Sequence, residues 1–185
     1  MSRICFFVNM DTCIGCGACQ VACKDGHSLP ADVFMRRVAL LNGPGDAREF
    51  PFSGACFHCL EPRCTAVCTT GAMHKLEDGT VVHDDGLCIG CGTCLWNCPY
   101  GSISLSKRNG VSQKCDTCLE RRSRGLNPLC VDACPTRSID FGEWDELAAK
   151  YGAGDPLGEI LPDADMTHPS LIVRLPRGWK KGGAE

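Results

Sequence analysis

Apolar residues in this chain form short runs that polar or glycine-rich stretches interrupt. The runs ICFFVN (4–9), GTVVHD (79–84), SISLS (102–106) and SIDFG (138–142) are short and rich in β-branched or aromatic residues, which predicts a strand in each. Asp-Gly stands between the two arms of KLEDGTVVHD (75–84) and predicts a hairpin there. The pattern therefore indicates a small α+β fold with little regular structure.

Three further segments carry their own predictions. VFMRRVALLNGPG (33–45) predicts a strand followed by a turn that contains glycine and proline, and EWDELAAKY (143–151) predicts a short helix. The tail from Asp155 to Glu185 contains PSLIVRLPRGWKK, an extended apolar strand with a basic tip. We expect this tail to wrap onto a partner; folding back onto its own body is the alternative.

Composition shows that packing of side chains is not enough to hold this fold together. The chain has 185 residues, of which only 6% are aromatic and 17 are cysteine. A cysteine content this high marks a chain held together by disulfides or metal. No apolar run approaches the roughly 18 residues that span a bilayer, and the formal charge of −3 gives no reason to expect nucleic-acid binding.

Sixteen of the cysteines fall into four runs that share their first and last gaps. Each run begins with C-x2-C and ends with x3-C, while the middle gap is two residues in the first and third runs, four in the second and eleven in the fourth. The members are Cys13, Cys16, Cys19 and Cys23; Cys56, Cys59, Cys64 and Cys68; Cys88, Cys91, Cys94 and Cys98; and Cys115, Cys118, Cys130 and Cys134. The four runs are therefore an internal repeat with insertions.

The first and third runs have the spacing of bacterial ferredoxins. In that spacing three cysteines hold one cubane and the fourth ligates the neighbouring cluster. The glycines of IGCG let the backbone turn tightly and approach the inorganic sulfides, where a Cβ would crowd them. Sixteen ligands predict four [4Fe–4S] clusters.

Two other uses of cysteine are weaker. Structural zinc usually recruits histidine at ligand spacing, and none stands there. A disulfide framework needs an oxidising compartment, and the N-terminus has no secretory signal of its own.

Cys5 lies in an apolar run and is expected to be a buried structural residue. His58 has two alternative roles, donation to a cluster sulfur and stabilisation of a turn.

Spacing alone leaves the pairing of the runs open. Residues 69–87 join the second run to the third through the predicted hairpin, as in a two-cluster ferredoxin. Residues 99–114 join the third to the fourth and are even shorter, so a serial pairing of first with second and third with fourth is also compatible with the sequence.

The chain resembles the iron–sulfur subunits of membrane-bound molybdoenzymes of the dimethyl sulfoxide reductase type, including those of polysulfide and thiosulfate reductases, nitrate reductase and formate dehydrogenase. The resemblance covers nearly the whole chain and rests on the four runs in this order and on CKDGH, TGAMHKLEDG, CPYG, KCDTC, CPTRSIDFG and THPSLIVR. The second run departs at Thr69, where many relatives have proline, but its ligand set is intact.

The resemblance implies two nested ferredoxin-like halves, each with two [4Fe–4S] clusters, and an extended C-terminal tail. Residues 1–24 and 107–142 would form the outer half, 54–106 the inner half, 25–53 an insertion, and 143–185 the C-terminal helix and partner-wrapping tail. The implied ligand sets are Cys13, Cys16, Cys19 and Cys134; Cys23, Cys115, Cys118 and Cys130; Cys56, Cys59, Cys64 and Cys98; and Cys68, Cys88, Cys91 and Cys94.

The implied role is electron transfer between a quinone-reactive membrane anchor subunit and a large catalytic subunit with a molybdenum or tungsten bis-pterin. The chain itself would have no catalytic residue, and a signal-bearing partner would place the complex on the extracytoplasmic membrane face; a cytoplasmic location is the alternative. A soluble polyferredoxin is the alternative function. Six basic residues near the ligands are expected to offset cluster charge: Lys24, Arg63, Lys114, Arg121, Arg122 and Arg137.

Overall fold

A three-stranded sheet organises this computed structural model, which describes residues 3–43, 48–162 and 164–179. Its central strand, β1 (Ile4–Asn9), runs antiparallel to β8 (Ile139–Glu143) and parallel to β9 (Leu171–Arg174). Because β1 is covered on both faces, its first five residues are all buried. The predicted strands at 4–9 and 138–142 are confirmed.

Alternate residues of β1 enter two different cores. Phe6 and Val8 pack in the main core, which also contains several of the cysteines. Cys5 and Phe7 face the other way, against helix α6 (Trp144–Tyr151), and the rings of Phe7 and Tyr151 stack with centroids 3.7 Å apart. The prediction of a helix at 143–151 is confirmed.

The expectation that the tail wraps onto a partner is wrong for its apolar strand. Residues 171–173 are buried as β9 beside β1, so this stretch folds back onto its own body. The reason is that β1 offers a free edge, on which a parallel strand satisfies its backbone groups and buries its apolar side chains. The basic tip at residues 180 and 181 lies outside the described residues.

Three hairpins accompany the sheet. β2 (Arg36–Asn42) pairs with β3 (Glu49–Ala55), β4 (Met73–Lys75) with β5 (Val81–His83), and β6 (Ser104–Leu105) with β7 (Ser112–Gln113). The hairpin predicted at 75–84 is confirmed. The sequence pattern does not predict β3, and the predicted turn after β2 lies partly in the undescribed residues 44–47.

Short helices follow cysteines of each run. They are α1 (Ala18–Gly26), α2 (Arg63–Ala66), α3 (Thr93–Asn97), α4 (Leu119–Arg122) and α5 (Leu129–Asp132), with two 3₁₀ turns at Leu157–Glu159 and Ala164–Met166. α1 packs against α5, and α2 against α3. These contacts bring the first run to the fourth and the second to the third. Within the described part of the chain, no helix has the length and apolar character of a membrane span.

Candidate metal centres

The structure gathers cysteines of different runs into four groups, which we call quartets I to IV. Quartet I consists of Cys13, Cys16, Cys19 and Cys134. Burial raises the pKa of the Cys13 thiol, and the neighbouring Cys19, Cys134 and Cys16 raise it further, because closely spaced thiols disfavour each other's ionisation. Three cysteines of the first run thus lie beside a cysteine more than a hundred residues away in the sequence.

Quartet II consists of Cys23, Cys115, Cys118 and Cys130. Burial raises the pKa of the Cys130 thiol, and the nearby Cys23 and Cys118 add to the increase. His27 links two members of the quartet, with Nδ1 3.9 Å from Sγ of Cys23 and Nε2 3.8 Å from Sγ of Cys118. Nε2 also lies 3.4 Å from a carboxylate oxygen of Asp116.

Quartets III and IV each line a pocket of their own. Quartet III consists of Cys56, Cys59, Cys64 and Cys98, and quartet IV of Cys68, Cys88, Cys91 and Cys94. Burial raises the pKa of Cys64 to about 12, with further increases from Cys56, Cys98 and Cys59. The exposed Cys91 has its pKa lowered, first by the hydroxyl of Thr93, and Cys68 opposes that effect.

Donors point at the sulfur atoms in a pattern that repeats between quartets. Hydroxyls of Ser53 and Ser112 lie 3.2 Å from Sγ of Cys19 and of Cys94. Backbone N–H groups donate to Sγ of Cys134 and Cys68 at 3.3 Å, and to that of Cys88 at 3.4 Å. Convergent thiols with N–H and O–H donors fit [4Fe–4S] clusters, whose sulfur atoms accept such bonds.

Comparison with known proteins matches the donor chemistry. A family described as "4Fe-4S dicluster domain" matches residues 48–144, and one described as "4Fe-4S binding domain" matches residues 6–25. The chain is 41% identical to the B subunit of the anaerobic dimethyl sulfoxide reductase of Escherichia coli, across 91% of this chain and 87% of that protein. The chain belongs to the family of iron–sulfur subunits of dimethyl-sulfoxide-reductase-type molybdoenzymes.

Other members of the iron–sulfur subunit family show the same relation. The chain is 39% identical to the thiosulfate reductase electron transfer subunit of Salmonella typhi, over 77% of each protein. It is 33% identical to the formate dehydrogenase iron–sulfur subunit of Wolinella succinogenes, over 80% of this chain and 84% of that protein. The predicted cofactor, four [4Fe–4S] clusters, is confirmed, and the zinc and disulfide interpretations are set aside.

In this iron–sulfur subunit, quartets I and IV each reach the surface. Cys16 and Cys91 are exposed, while all other cysteines are buried or half-buried. Apolar side chains stand next to both, with Ile14 67% exposed near Cys16 and Ile89 70% exposed near Cys91. Trp96, at the end of the third run's helix, is 89% exposed. Quartets II and III lie deeper.

Most of the basic residues predicted to offset cluster charge have other partners. Arg121 pairs with Asp132 and Arg122 with Asp78, at 2.6 and 2.9 Å. Lys24 donates to carbonyls of the loop at residues 30–33, and Arg137 to that of Asp132. Arg63 is exposed. Only Lys114 fits the expectation: it is buried and lowers the pKa of Cys64 against the larger effect of burial.

The two residues singled out individually are both buried. Cys5 is 1% exposed, and burial raises its pKa to about 12, as expected for a structural thiol. Nδ1 of His58 accepts a hydrogen bond from the N–H of Val81 at 3.0 Å, so its proton is on Nε2. His58 thereby fastens the β4–β5 hairpin to the second run, which supports the stabilising role.

The sequence analysis does not predict several residues that lie beside the quartets, among them His27, Arg36, Ser53 and Ser112. Ser53 and Arg36 lie on the β2–β3 hairpin, within the segment interpreted as an insertion, and Ser112 lies on β7. His27 stands directly after CKDG, where the sequence gives it no role beyond membership of a motif. The signal that could find Ser53 and Ser112 is their position three residues before the first cysteine of the next run.

Proposed function

We propose that this chain relays single electrons through its four clusters between a membrane quinone-reactive subunit and a large subunit with a molybdenum or tungsten bis-pterin. The observation that carries the proposal is the arrangement of four cysteine quartets, of which I and IV reach the surface at Cys16 and Cys91. Similarity to three kinds of molybdoenzyme subunit over most of the chain supports it.

We further propose that each quartet is the ligand set of one cluster, which makes the outer and inner ferredoxin-like halves nested. The support is that the thiols of each quartet influence one another's ionisation or line one pocket, although they come from two different runs. A serial pairing would instead require Cys23 to join the second run. Cys23 lies close enough to Cys130, a member of the fourth run, to raise the pKa of its thiol.

Bound clusters supply one-electron transfer with small structural change, and the chain supplies the environment that sets their potentials. The thiols of quartet II are all buried and those of quartet III are buried or half-buried, which limits the access of water. Hydrogen bonds from Ser53 and Ser112 stabilise charge on sulfur atoms of quartets I and IV. The apolar side chains near Cys16 and Cys91 suit contact with other proteins at both ends. No side chain is assigned as an acid, base or nucleophile.

The complex would be associated with a membrane through an anchor subunit, on the extracytoplasmic face, and exported with a signal-bearing partner. The support is membership of a family whose complexes are membrane-associated. Fractionation of the native host, with the complex detected by antibodies to this chain, tests the location. A mature complex free in the cytosol would contradict it.

Co-purification tests the central proposal. The tagged chain, isolated gently from its native host, should co-purify with a large molybdopterin protein in about equal amount. After chemical reduction, its clusters should be reoxidised when the substrate of that protein is added. A chain that purifies alone, with all its clusters, and exchanges electrons with several unrelated enzymes would be a polyferredoxin.

A further inference from the structure

Arg36 on β2 is a charged residue in the interior. It is 2% exposed, whereas its neighbour Arg37 is exposed, because successive residues of a strand point to opposite faces. A guanidinium is always charged, and taking it out of water is unfavourable unless it is paired and hydrogen-bonded. Its surroundings must therefore compensate for the lost water.

The oxygen atoms near Arg36 replace only part of the hydration that the guanidinium loses on burial. Nη1 donates to the carbonyl oxygen and to Oγ of Ser53, at 3.0 and 3.1 Å, and the guanidinium carbon lies 4.6 Å from the ring centre of Phe6. Nη2 is buried and makes no hydrogen bond to an oxygen or nitrogen of the described residues. None of the ion pairs within 3–43, 48–162 and 164–179 links Arg36 to a carboxylate.

Thiols of two quartets take the place of a carboxylate. Burial tends to lower the pKa of Arg36, but Cys130, Cys115, Cys19 and Cys23 outweigh it and the net direction is upward. The ring of Phe6, whose centre is 4.6 Å from the guanidinium carbon, packs in the same core as Cys115 and Cys130 of quartet II. Ser53 joins the guanidinium to quartet I, since its Oγ also lies 3.2 Å from Sγ of Cys19.

We propose that Arg36 is the buried counter-charge shared by the clusters of quartets I and II, and that it holds the reduction potentials of both above those they would otherwise have. The inference rests on the proposed ligand sets. A cation close to a cluster stabilises the reduced form more than the oxidised form, because reduction adds negative charge. In a dry interior little solvent screens this attraction.

Quartets III and IV, which we call the inner quartets, have no arginine in the place that Arg36 takes beside quartets I and II, the outer quartets. Arg36 pairs across its hairpin with Ala55, the residue before the second run. Ser104 pairs with Gln113, so the register continued by one residue sets Ile103 opposite Lys114, the residue before the fourth run. Ile103 is buried and apolar. Loss of Arg36 should therefore affect two centres and spare the other two.

The test compares Arg36→Met, Arg36→Lys and the control Arg37→Met in the full-length, cluster-loaded chain. Arg37→Met removes the same formal charge one residue away on the exposed face. Iron content and the number of centres are measured first, and midpoint potentials then follow from redox titration monitored by EPR. Cys16→Ser and Cys118→Ser identify the signals of quartets I and II.

In Arg36→Met we expect four centres, with the two outer ones shifted to lower potential. At the wild-type midpoint the ratio of oxidised to reduced outer centres should rise about tenfold, a shift of about 59 mV for a one-electron couple. Arg36→Lys should restore most of the shift, and Arg37→Met should leave all four potentials close to wild type.

Three results would overturn the proposal: unchanged outer potentials in Arg36→Met, an equal shift of all four centres, or an equal shift in Arg37→Met. If Arg36→Met loses clusters, Arg36→Lys decides the matter. Charge compensation requires that lysine restore both the clusters and their potentials, and a lysine variant that also loses them would assign Arg36 to packing instead. A wrong ligand set is recognised separately, because Cys16→Ser and Cys118→Ser would then alter other signals.

Discussion

The β2–β3 hairpin lies beside the outer quartets and the β6–β7 hairpin beside the inner ones. Both bring a serine to a cysteine sulfur, but their strands differ in length. Each places a serine hydroxyl 3.2 Å from the third cysteine of the preceding run, Ser53 on Cys19 and Ser112 on Cys94. The outer hairpin has two seven-residue strands and buries Arg36, while the inner one has two-residue strands.

This difference separates two aspects of a cluster site. The geometry of the thiols is local: both pairs of quartets repeat the x2 and x3 gaps, the serine and the N–H donors. Electrostatic environment is non-local, because Arg36 reaches the thiols of quartets I and II from a strand outside all four runs. Two halves with the same ligands are therefore expected to hold clusters of different potential.

Removal of iron should produce the largest difference between residues 54–106 and the three-stranded sheet, in their protection from hydrogen exchange. Apart from its cysteines, the inner core consists of Met73, Val81 and Ile103, whereas the outer half adjoins the three-stranded sheet. In the apo-protein we expect residues 54–106 to lose all protection from hydrogen exchange, because no cluster then links their thiols and stabilises the fold. Strand β1 should keep some protection. Hydrogen exchange with mass spectrometry measures this, and an inner half that stays protected without iron would contradict it.

Paired ligand replacements test which runs share a cluster. Cys68→Ser should remove or degrade the quartet IV centre and leave quartets I and II intact, and Cys134→Ser should do the same to quartet I alone. Iron would fall from about sixteen per chain to about twelve in each.

Iron analysis and EPR distinguish the two variants of this pair. Cys5→Ser is the matched control, a buried cysteine outside the quartets whose replacement should leave iron unchanged. Damage to the first run's centre by Cys68→Ser would show that the pairing is not nested.

Equivalent glycines in the first and third runs should tolerate alanine differently. Gly15 and Gly90 share φ of +69°, where a side chain is strained. A Cβ on Gly90 would also lie 2.3 Å from the carbonyl oxygen of Gly110, whereas one on Gly15 would lie 3.2 Å from Cβ of Pro51. We expect Gly90→Ala to destabilise the loaded protein by about 1–3 kcal/mol more than Gly15→Ala. Thermal unfolding measures the difference, and equal losses would contradict the expectation.

The smallest effect should come from the two serines. Ser53→Ala and Ser112→Ala each remove one hydroxyl donor to sulfur, which contributes about 0.5–1.5 kcal/mol. Ser112→Ala should lower the potential of the quartet IV cluster alone, and Ser53→Ala that of quartet I with a smaller change at quartet II. Ser53→Ala should have the larger effect because its hydroxyl also orients Arg36. EPR titration of both variants checks the order, and equal shifts would show that the contact between Ser53 and Arg36 is irrelevant to the potentials.

Short-range chemistry determines the features that the sequence predicts correctly. Cysteine spacing indicates the cluster runs, Asp-Gly indicates the β4–β5 hairpin, and the apolar run at 4–9 indicates β1. The sequence does not indicate β3, whose Pro51 argues against a strand, or the pairing of β9 with β1, which depends on a free edge distant in sequence. Arg36 escapes prediction for the same reason: its neighbours in sequence are not its neighbours in space.

The order of strands in the main sheet also bears on how the protein is made. β1 leaves the ribosome long before either of its partners, β8 and β9. Cys13, Cys16 and Cys19 are likewise synthesised long before Cys134, the fourth member of quartet I. The ligand set that we propose for quartet I is complete only after residue 134 has been synthesised, so we expect full loading of its cluster after that point in translation. A stop codon between β8 and β9 would leave the edge of β1 open and available to another chain.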